Sequence, residues 1–216
     1  MLRVEDVHVA VRGITILRGV SLEVPGGTVV GLVGRNGAGK TTTLRTVMGL
    51  MPLTRGRLQY DGLDLAHVPA HQRAALGIGY MPEDRRLIPS LTVQENLLLP
   101  VWVNDFSDDS ARLEQVYGWM PGLVALAQRP AGQLSGGQQK LVALGRALVV
   151  GTRLVLLDEP FEGLAPALAD QISDALREAV RQGRAVLVAE SEHHRVEALA
   201  DRVYVIERGE IQQSGR

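Results

Sequence analysis

A glycine-rich stretch with one lysine and one threonine is the first part of the sequence whose residue types suggest chemistry. Residues 34–41 read GRNGAGKT, which matches G-x-x-x-x-G-K-[ST], and they follow the apolar run 28–33. A strand, a glycine-rich turn and a helix start present backbone N–H groups to phosphate, while the lysine contacts the β- and γ-phosphates and the threonine binds Mg²⁺. The residues that we expect to contact a nucleotide here are Gly34, Asn36, Gly37, Ala38, Gly39, Lys40, Thr41 and Thr42.

Two adjacent carboxylates end a second apolar segment. Residues 153–157 (RLVLL) precede Asp158 and Glu159, and such a run is typical of a strand buried on both faces in a parallel sheet. Asp158 fits the aspartate that holds the Mg²⁺ shell beside a phosphate loop. The side chain of Glu159, one residue later, points in a different direction from that of Asp158. Glu159 is a candidate to orient the water that attacks the phosphate or to accept its proton. The alternative is that both carboxylates are solvated turn residues.

A third motif, residues 134–139 (LSGGQQ), lies between the phosphate loop and the acidic pair. Ser135 is placed to cap the helix that follows, and Gln138 is placed to complete a capping box with it. Gly136 and Gly137 leave backbone N–H groups open to an anion. Taken alone, this segment is an ordinary helix cap. Together with the other two motifs, it indicates an ATP site built from two protein surfaces.

The three motifs, in this order, resemble those of the ATP-binding subunit of ABC transporters, and the likeness runs over about residues 4–209. The resemblance implies ATP and Mg²⁺ as cofactors and ATP hydrolysis coupled to transmembrane transport. It also implies that Ser135, Gly136, Gly137 and Gln138 close over the γ-phosphate held by the phosphate loop of a second subunit. The partners it implies are a second copy or a similar ATPase, integral membrane permease subunits and, indirectly, a periplasmic or surface substrate-binding protein.

The chain departs from the family pattern at three functional positions. Glu83 replaces a glutamine that senses the γ-phosphate and Mg²⁺, so its carboxylate either takes a metal or water position or faces solvent. Ser191 replaces the switch histidine and is expected to hydrogen-bond phosphate or the attacking water, a role that we do not transfer to His193 or His194. Arg12 replaces the aromatic residue that stacks on adenine, and its guanidinium plane is expected to stack instead. The catalytic candidates are Glu159, Ser191 and Glu83, and the metal candidates are Thr41, Asp158 and Glu83.

Two short segments point to a subfamily. Residues 162–166 (EGLAP) and 91–97 (LTVQENL), with no histidine at the switch position, most resemble the smaller ATPase of branched-chain amino acid importers and of their urea or amide relatives. The expected function is therefore the ATP-hydrolysing subunit of an importer for a small polar nutrient, either branched-chain amino acids or urea and amides. Another alternative is a degenerate subunit that binds nucleotide and leaves hydrolysis to a partner ATPase; Glu83 and Ser191 suggest it, and Glu159 opposes it.

Composition narrows the class of protein. The 216 residues carry a formal net charge of −1, so no electrostatic drive toward nucleic acid is visible and no nucleic-acid partner is expected. The sequence has no cysteine, which excludes thiol catalysis and thiolate metal sites. The N-terminus lacks signal-peptide organisation, and no apolar run approaches the roughly 20 residues that span a bilayer. We expect the pore to lie in other polypeptides and this chain to bind peripherally at the cytoplasmic face of the inner membrane.

The elements that position these motifs alternate between strand and helix. Such alternation is typical of a parallel sheet with crossover helices. The resemblance implies an α/β P-loop NTPase core with a mixed, mainly parallel sheet, an N-terminal antiparallel β subdomain and an inserted α-helical subdomain. We expect one ABC ATPase domain over 1–216, with a nucleotide-binding core at 1–88 and 148–216 and the helical subdomain at 89–147. The predicted strands are 2–11, 20–24, 28–33, 77–81, 154–157, 185–189 and 203–206, and the predicted helices are 41–50, 92–99, 108–119, 135–149, 167–182 and 193–200.

Overall fold

The structure, a computed structural model, describes residues 1–104 and 106–215. These residues form ten strands and seven α-helices, joined by turns and short 3₁₀ segments. The strands are β1 (Leu2–Val11), β2 (Ile14–Val24), β3 (Val29–Val33), β4 (Arg55–Tyr60), β5 (Leu63–Asp64), β6 (Ile78–Met81), β7 (Leu154–Asp158), β8 (Ala185–Glu190), β9 (Arg202–Glu207) and β10 (Glu210–Gly215). The helices are α1 (Lys40–Val47), α2 (Ala70–Arg73), α3 (Val93–Val103), α4 (Asp109–Trp119), α5 (Gly136–Val150), α6 (Pro166–Arg181) and α7 (His193–Leu199).

A six-stranded sheet in the order β10-β9-β3-β8-β7-β6 forms the centre of the fold. Its neighbouring strands are parallel except for β9 and β10, which pair antiparallel. Alternate residues of β7 face opposite cores, because Val155 and Leu157 pack with the helices while Leu154 and Leu156 pack toward the second sheet. Residues 154–157 of the strand are all apolar because both faces of the sheet are covered, as the sequence predicts.

The second sheet, in the order β2-β1-β4-β5, is antiparallel and shares a hydrophobic core with the first. The predicted fold class is confirmed, but the sequence prediction lacks β4, β5 and β10 and starts β2 too late. In β4 only Leu58 and Tyr60 are buried, so the apolar alternation that marks a strand is too short to recognise. In β2, exposed Arg18 and half-buried Gly19 stand together between buried Leu17 and Val20, which interrupts the same alternation.

Three helices, α3, α4 and α5, follow one another between β6 and β7 and contribute to one hydrophobic core. The capping box predicted for α5 is confirmed, because Ser135 Oγ accepts from the Gln138 N–H at 3.3 Å and the Gln138 side-chain oxygen accepts from the Ser135 N–H at 3.0 Å. The limits 89–147 of the helical subdomain stay a prediction, and α5 itself runs to Val150. Within the described ranges, none of the helices has the length and apolar content to cross a bilayer.

The carboxyl ends of β3, β8 and β7 lie side by side because β8 pairs with both of the other strands. Val33 of β3 is in register with Glu190 of β8, and Asp158 of β7 is in register with Ala189. The glycine-rich loop leaves β3, and Glu159 follows β7. The topology therefore brings the phosphate loop, the acidic pair and the end of β8 to one edge of the sheet, which is where ligands bind in open α/β sheets.

A buried arginine fixes the far end of α1, the helix that follows the phosphate loop. Arg73 donates to the carbonyl oxygens of Thr46 and Val47, in the last turn of this helix. It also donates to the carbonyl oxygens of Leu65 at 2.6 Å and Val68 at 3.0 Å. A cation at a helix C-terminus is favoured by the helix dipole and satisfies carbonyls that lack an intrahelical partner. Arg73 therefore anchors the helix on which the phosphate loop depends.

We predict that Arg73→Met lowers the free energy of unfolding by about 3 kcal/mol, because four carbonyl oxygens each lose a hydrogen bond from the guanidinium group while the apolar stem remains. Urea denaturation followed by circular dichroism measures the loss. Arg57→Met, on the exposed face of β4, is the matched control and should change stability by less than about 0.5 kcal/mol. Equal effects of the two substitutions would contradict the anchoring role of Arg73.

Candidate nucleotide site

The glycine-rich loop between β3 and α1 presents a row of backbone N–H groups. Gly39 is the N-cap of α1 and has a φ of 117°, a backbone conformation that glycine adopts readily. In the described part of the chain, the N–H groups of Gly37, Gly39, Lys40 and Thr41 donate to no acceptor. Unpaired N–H groups at a helix start attract anions, so the loop fits the phosphates of a nucleotide.

Backbone hydrogen bonds from other residues of the loop connect it to the rest of the sheet. The Gly34 N–H donates to the carbonyl oxygen of Glu190 at 3.2 Å, which ties the loop to the end of β8. The Ala38 carbonyl accepts from the Gly209 N–H at 2.8 Å, at the turn between β9 and β10. Thr42 lies half-buried on α1. The loop is therefore held by the end of β8 and by the turn between β9 and β10.

Lys40 bridges the loop and the end of β7. Its ammonium group is buried and donates to the Gly34 carbonyl at 2.6 Å and to Ser191 Oγ at 3.0 Å. It also forms a salt bridge of 3.1 Å with Glu159 Oε1. The predicted phosphate lysine, the predicted catalytic glutamate and the serine at the switch position thus meet at one point.

Thr41 and Asp158 offer oxygen atoms to a metal ion. Thr41 Oγ1 donates to Asp158 Oδ1 at 3.0 Å, and Asp158 is fully buried. Burial raises the pKa of Asp158 to about 6; the hydrogen bond from Thr41 opposes this rise, and the charges of Glu83 and Glu159 add to it. Hydroxyl and carboxylate oxygens are ligands that Mg²⁺ accepts in proteins, so the pair fits this metal.

Glu83 lies at the same end of the sheet. Its side chain is exposed, and it lines a cleft of about 590 Å³ with Arg45, Gly136 and Gly137. Its charge acts on Asp158, which places it near the predicted metal ligands. Glu83 is therefore a solvent-facing side chain beside the site, and its metal and catalytic roles stay predictions.

Glu159 is held by several donors. Ser191 donates to it twice, from its backbone N–H to Oε2 at 3.0 Å and from its hydroxyl to Oε1 at 2.6 Å. Burial acts to raise the pKa of Glu159, but hydrogen bonds with Glu190, Ser191 and Lys40 outweigh burial, so the pKa lies below its usual range. The carboxylate is therefore ionised at neutral pH, as a group that accepts a proton from water must be.

Ser191 connects the two sides of the site. Its hydroxyl oxygen lies 2.7 Å from Asn36 Oδ1 in the phosphate loop and 2.6 Å from Glu159 Oε1. A hydroxyl has one proton to donate, so it serves one of these oxygens at a time while it accepts from Lys40. His193 and His194 form no hydrogen bond with the predicted site among the described residues, in agreement with leaving them unassigned.

The segment 135–138 makes no hydrogen bond with residues 34–42 in the described chain. Gly136 and Gly137 stand in the first turn of α5, where their N–H groups have no intrahelical acceptor. Arg85, two residues after Glu83, donates to the Gly136 carbonyl at 3.3 Å. The first-turn N–H groups of this segment are therefore available to an acceptor other than the phosphate loop of the same chain.

Arg12 lies at the turn between β1 and β2. It has a φ of 49°, is followed by Gly13 with a φ of 81°, and its side chain is exposed. Two consecutive residues with positive φ are typical of the tight turns that join antiparallel strands. The side chain is accessible to a base, and its stacking role stays a prediction.

Two buried charged residues at the site are absent from the sequence prediction, Lys140 and Glu190. Lys140 Nζ donates to the carbonyl oxygens of Glu159, at 2.8 Å, and of Glu162, at 2.5 Å. Glu190 ends β8 as Asp158 ends β7, with a run of apolar residues before it. That shared pattern is the signal that marks Glu190 in the sequence, whereas Lys140 differs from an exposed helix residue only by its position in the fold.

Comparison with known proteins decides the family. A model described as ABC transporter matches residues 17–162. The chain belongs to the ABC transporter family. This ABC ATPase is 37% identical over 211 residues to BraG of Pseudomonas aeruginosa, a high-affinity branched-chain amino acid transport ATP-binding protein, with 98% of the chain and 91% of BraG covered.

Other relatives differ in cargo. The ABC ATPase is 32% identical over 204 residues to LptB of Escherichia coli K12, a lipopolysaccharide export system ATP-binding protein, with 94% of the chain and 85% of LptB covered. A solved nucleotide-free ATP-binding cassette superposes with a TM-score of 0.88 at 29% identity, covering 100% of this chain and 91% of the other. A cassette solved in its ADP conformation superposes with a TM-score of 0.86 at 29% identity, with the same coverage. The chain is therefore an ATP-binding ATPase subunit of an ABC transporter.

We predict that Ser191→Ala lowers kcat for ATP hydrolysis about tenfold, because Glu159 loses a hydrogen bond worth about 1.4 kcal/mol in the transition state. Steady-state phosphate release at saturating Mg·ATP measures the effect. Ser173→Ala is the matched control, since among the described residues the Ser173 hydroxyl donates to the Ala169 carbonyl within α6 and contacts no site residue by hydrogen bond. A Ser191→Ala enzyme as fast as the wild type would remove Ser191 from the catalytic group.

Proposed function

We propose that this ABC ATPase drives the uptake of branched-chain amino acids. The likeness to BraG supports this cargo, because its identity of 37% exceeds the 32% of LptB of Escherichia coli. The segment 162–166 and the serine at the switch position support the same subfamily. Lipopolysaccharide export, which LptB suggests, and import of urea or amides are the rival cargoes.

The site geometry supports hydrolysis by this chain itself. The free N–H groups of the phosphate loop and Lys40 bind the triphosphate, and Thr41 and Asp158 would hold Mg²⁺, which would supply positive charge to the phosphate oxygens. Glu159 accepts a proton as the oxygen of a water molecule attacks the γ-phosphorus and the bond to the ADP oxygen breaks. Ser191 orients Glu159 through the two hydrogen bonds described above. A degenerate subunit would have no need of an ionised and multiply hydrogen-bonded carboxylate at this place.

The complete site contains two copies of the chain, or one copy and a similar ATPase. The observation that supports this proposal is that Gly136 and Gly137 have first-turn N–H groups without an intrahelical acceptor, and that their segment forms no hydrogen bond with the phosphate loop of its own chain among the described residues. In a head-to-tail dimer they cap the γ-phosphate bound at the opposite loop, and hydrolysis removes the group that joins the two faces. Permease subunits at the cytoplasmic face of the membrane then receive the closing and opening movement.

We predict that Glu159→Gln abolishes turnover and makes ATP hold two copies together, because the bridging γ-phosphate is retained. Size-exclusion chromatography in Mg·ATP should show a dimer that reverts to monomer in Mg·ADP. Glu197→Gln, at an exposed position on α7, is the matched control and should hydrolyse ATP like the wild type. A monomeric Glu159→Gln protein in saturating ATP would contradict the two-copy site.

The cargo is tested in the bacterium that carries the gene. Cells with a chromosomal Lys40→Ala allele should lose high-affinity uptake of radiolabelled leucine, isoleucine and valine, because the loop can no longer bind triphosphate. Uptake of radiolabelled urea and the amount of lipopolysaccharide at the cell surface should stay unchanged. Arg177→Ala, on the exposed face of α6, is the control allele. Normal leucine uptake with lost urea uptake or lost lipopolysaccharide export would assign one of the rival cargoes.

A further inference from the structure

The backbone of Glu159 has a conformation that its local sequence disfavours. Its φ is 50°, in the left-handed region that residues with a Cβ atom rarely occupy. Pro160 follows it, and a residue before proline prefers an extended backbone. A conformation of this kind persists only where the surrounding structure imposes it. Contacts from other parts of the fold must therefore hold the segment 159–162 in place.

Strand β8 holds two N–H groups of this segment. The Glu159 N–H donates to the carbonyl oxygen of Ala189 at 2.9 Å. The Phe161 N–H donates to Glu190 Oε1 at 2.7 Å. The peptide group between Glu159 and Pro160 has no N–H, because its nitrogen belongs to proline. The orientation of that peptide group therefore depends on the partner of its carbonyl oxygen.

Lys140 of helix α5 is the partner of that carbonyl oxygen. Its ammonium nitrogen donates to the Glu159 carbonyl at 2.8 Å and to the Glu162 carbonyl at 2.5 Å. Lys140 is 5% exposed, so water cannot readily replace these acceptors. The Glu162 carboxylate lies 3.9 Å from the ammonium nitrogen and its side chain is 61% exposed, so this ion pair contributes little. The ammonium group therefore acts mainly on the two main-chain carbonyls.

We propose that Lys140 is a positioning residue, which holds the Glu159 backbone in its left-handed conformation and thereby fixes the carboxylate for action on the attacking water. If Glu159 returned to an extended backbone, its Cβ atom and carboxylate would shift relative to Lys40 and Ser191, which bind that carboxylate. The inference rests on the proposed role of Glu159 in hydrolysis. It adds a contact from α5 without which that role is lost.

A buried cation at the opposite end of β8 provides a matched control. Arg184 is 4% exposed, directly precedes this strand, and donates to the carbonyl oxygens of Leu148 at 2.6 Å and Gly151 at 3.1 Å. It resembles Lys140 in its burial and in donating to two main-chain carbonyls, but the nucleotide site lies at the carboxyl end of the strand. Loss of Arg184 should therefore lower stability without moving Glu159.

The first test compares kcat and KM for ATP in the wild type, Lys140→Met, Lys140→Gln and Arg184→Met. Methionine has a similar length but donates no hydrogen bond, so Lys140→Met should lower kcat about tenfold or more. Its KM should stay within about threefold, because Lys40 and the phosphate loop still bind the triphosphate. Glutamine keeps two N–H donors, so Lys140→Gln should stay within about fivefold of the wild-type kcat. Arg184→Met should keep the wild-type kcat at temperatures where it is folded.

Hydrogen exchange without nucleotide gives a readout that does not need activity. Mass spectrometry of a peptide covering residues 159–164 follows the amides of Glu159 and Phe161, whose protection reports whether the segment is held against β8. In Lys140→Met these amides should exchange about fivefold faster than in the wild type, because the carbonyl side of the segment is released. In Lys140→Gln and Arg184→Met their exchange should match that of the wild type.

Three results would overturn the proposal: a wild-type kcat in Lys140→Met, an equal loss of kcat in Arg184→Met, or unchanged exchange of residues 159–164 in Lys140→Met. Glu159→Gln, run in the same assays, separates this inference from the proposed function. Turnover by Glu159→Gln at the wild-type rate would refute the role of Glu159 and, with it, the inference. An inactive Glu159→Gln beside a fully active Lys140→Met would refute the role of Lys140 alone.

Discussion

The arrangement of the site depends on how one buried glutamate is held. The sequence contains two lysines, and both contact Glu159: Lys40 binds its carboxylate and Lys140 binds its main-chain carbonyl. Both ammonium groups are buried, and a buried cation is tolerated only with close partners. The loop after β3, the end of β7 and helix α5 must therefore keep their mutual positions, because a shift of any one of them leaves a charge without a partner.

This constraint joins parts of the chain that are far apart in sequence. Lys140 stands in the second turn of α5, and the first turn of the same helix carries the free N–H groups of Gly136 and Gly137. The surface proposed to receive the nucleotide of a second subunit is thus built on the helix that holds the backbone of Glu159. Because a helix is stiff over two turns, the position of one surface fixes the other. Arg73 likewise fixes the position of α1, because it donates to the Thr46 carbonyl at the helix end opposite the phosphate loop.

The sequence predicts those features whose signal is local. Glycine spacing predicts the phosphate loop, an apolar run predicts β7, and Ser135 with Gln138 predicts the start of α5. The strand β4 escapes prediction because only two of its residues are buried, and β2 is cut short at Gly19. The hydrogen bond from the Phe161 N–H to Glu190 depends on β8 lying beside β7, and chain order does not reveal that strand order. The periodicity of apolar residues predicts which side chains are buried. The residue that pairs with a buried charge depends on the tertiary structure, which the periodicity does not give.

The serine at the switch position shows how the strand order compensates for a shorter side chain. A serine hydroxyl reaches less far than an imidazole, but Ser191 directly follows β8. This strand lies between β3, which leads into the phosphate loop, and β7, which leads into the acidic pair. From that central place its hydroxyl is within 3.0 Å of Lys40, Asn36 and Glu159 at once. Its backbone N–H adds a fourth contact that does not depend on the side chain. Serine in place of the longer histidine is therefore compatible with hydrolysis here, because Ser191 contacts Glu159 and Lys40 directly and does not need a longer side chain to reach them.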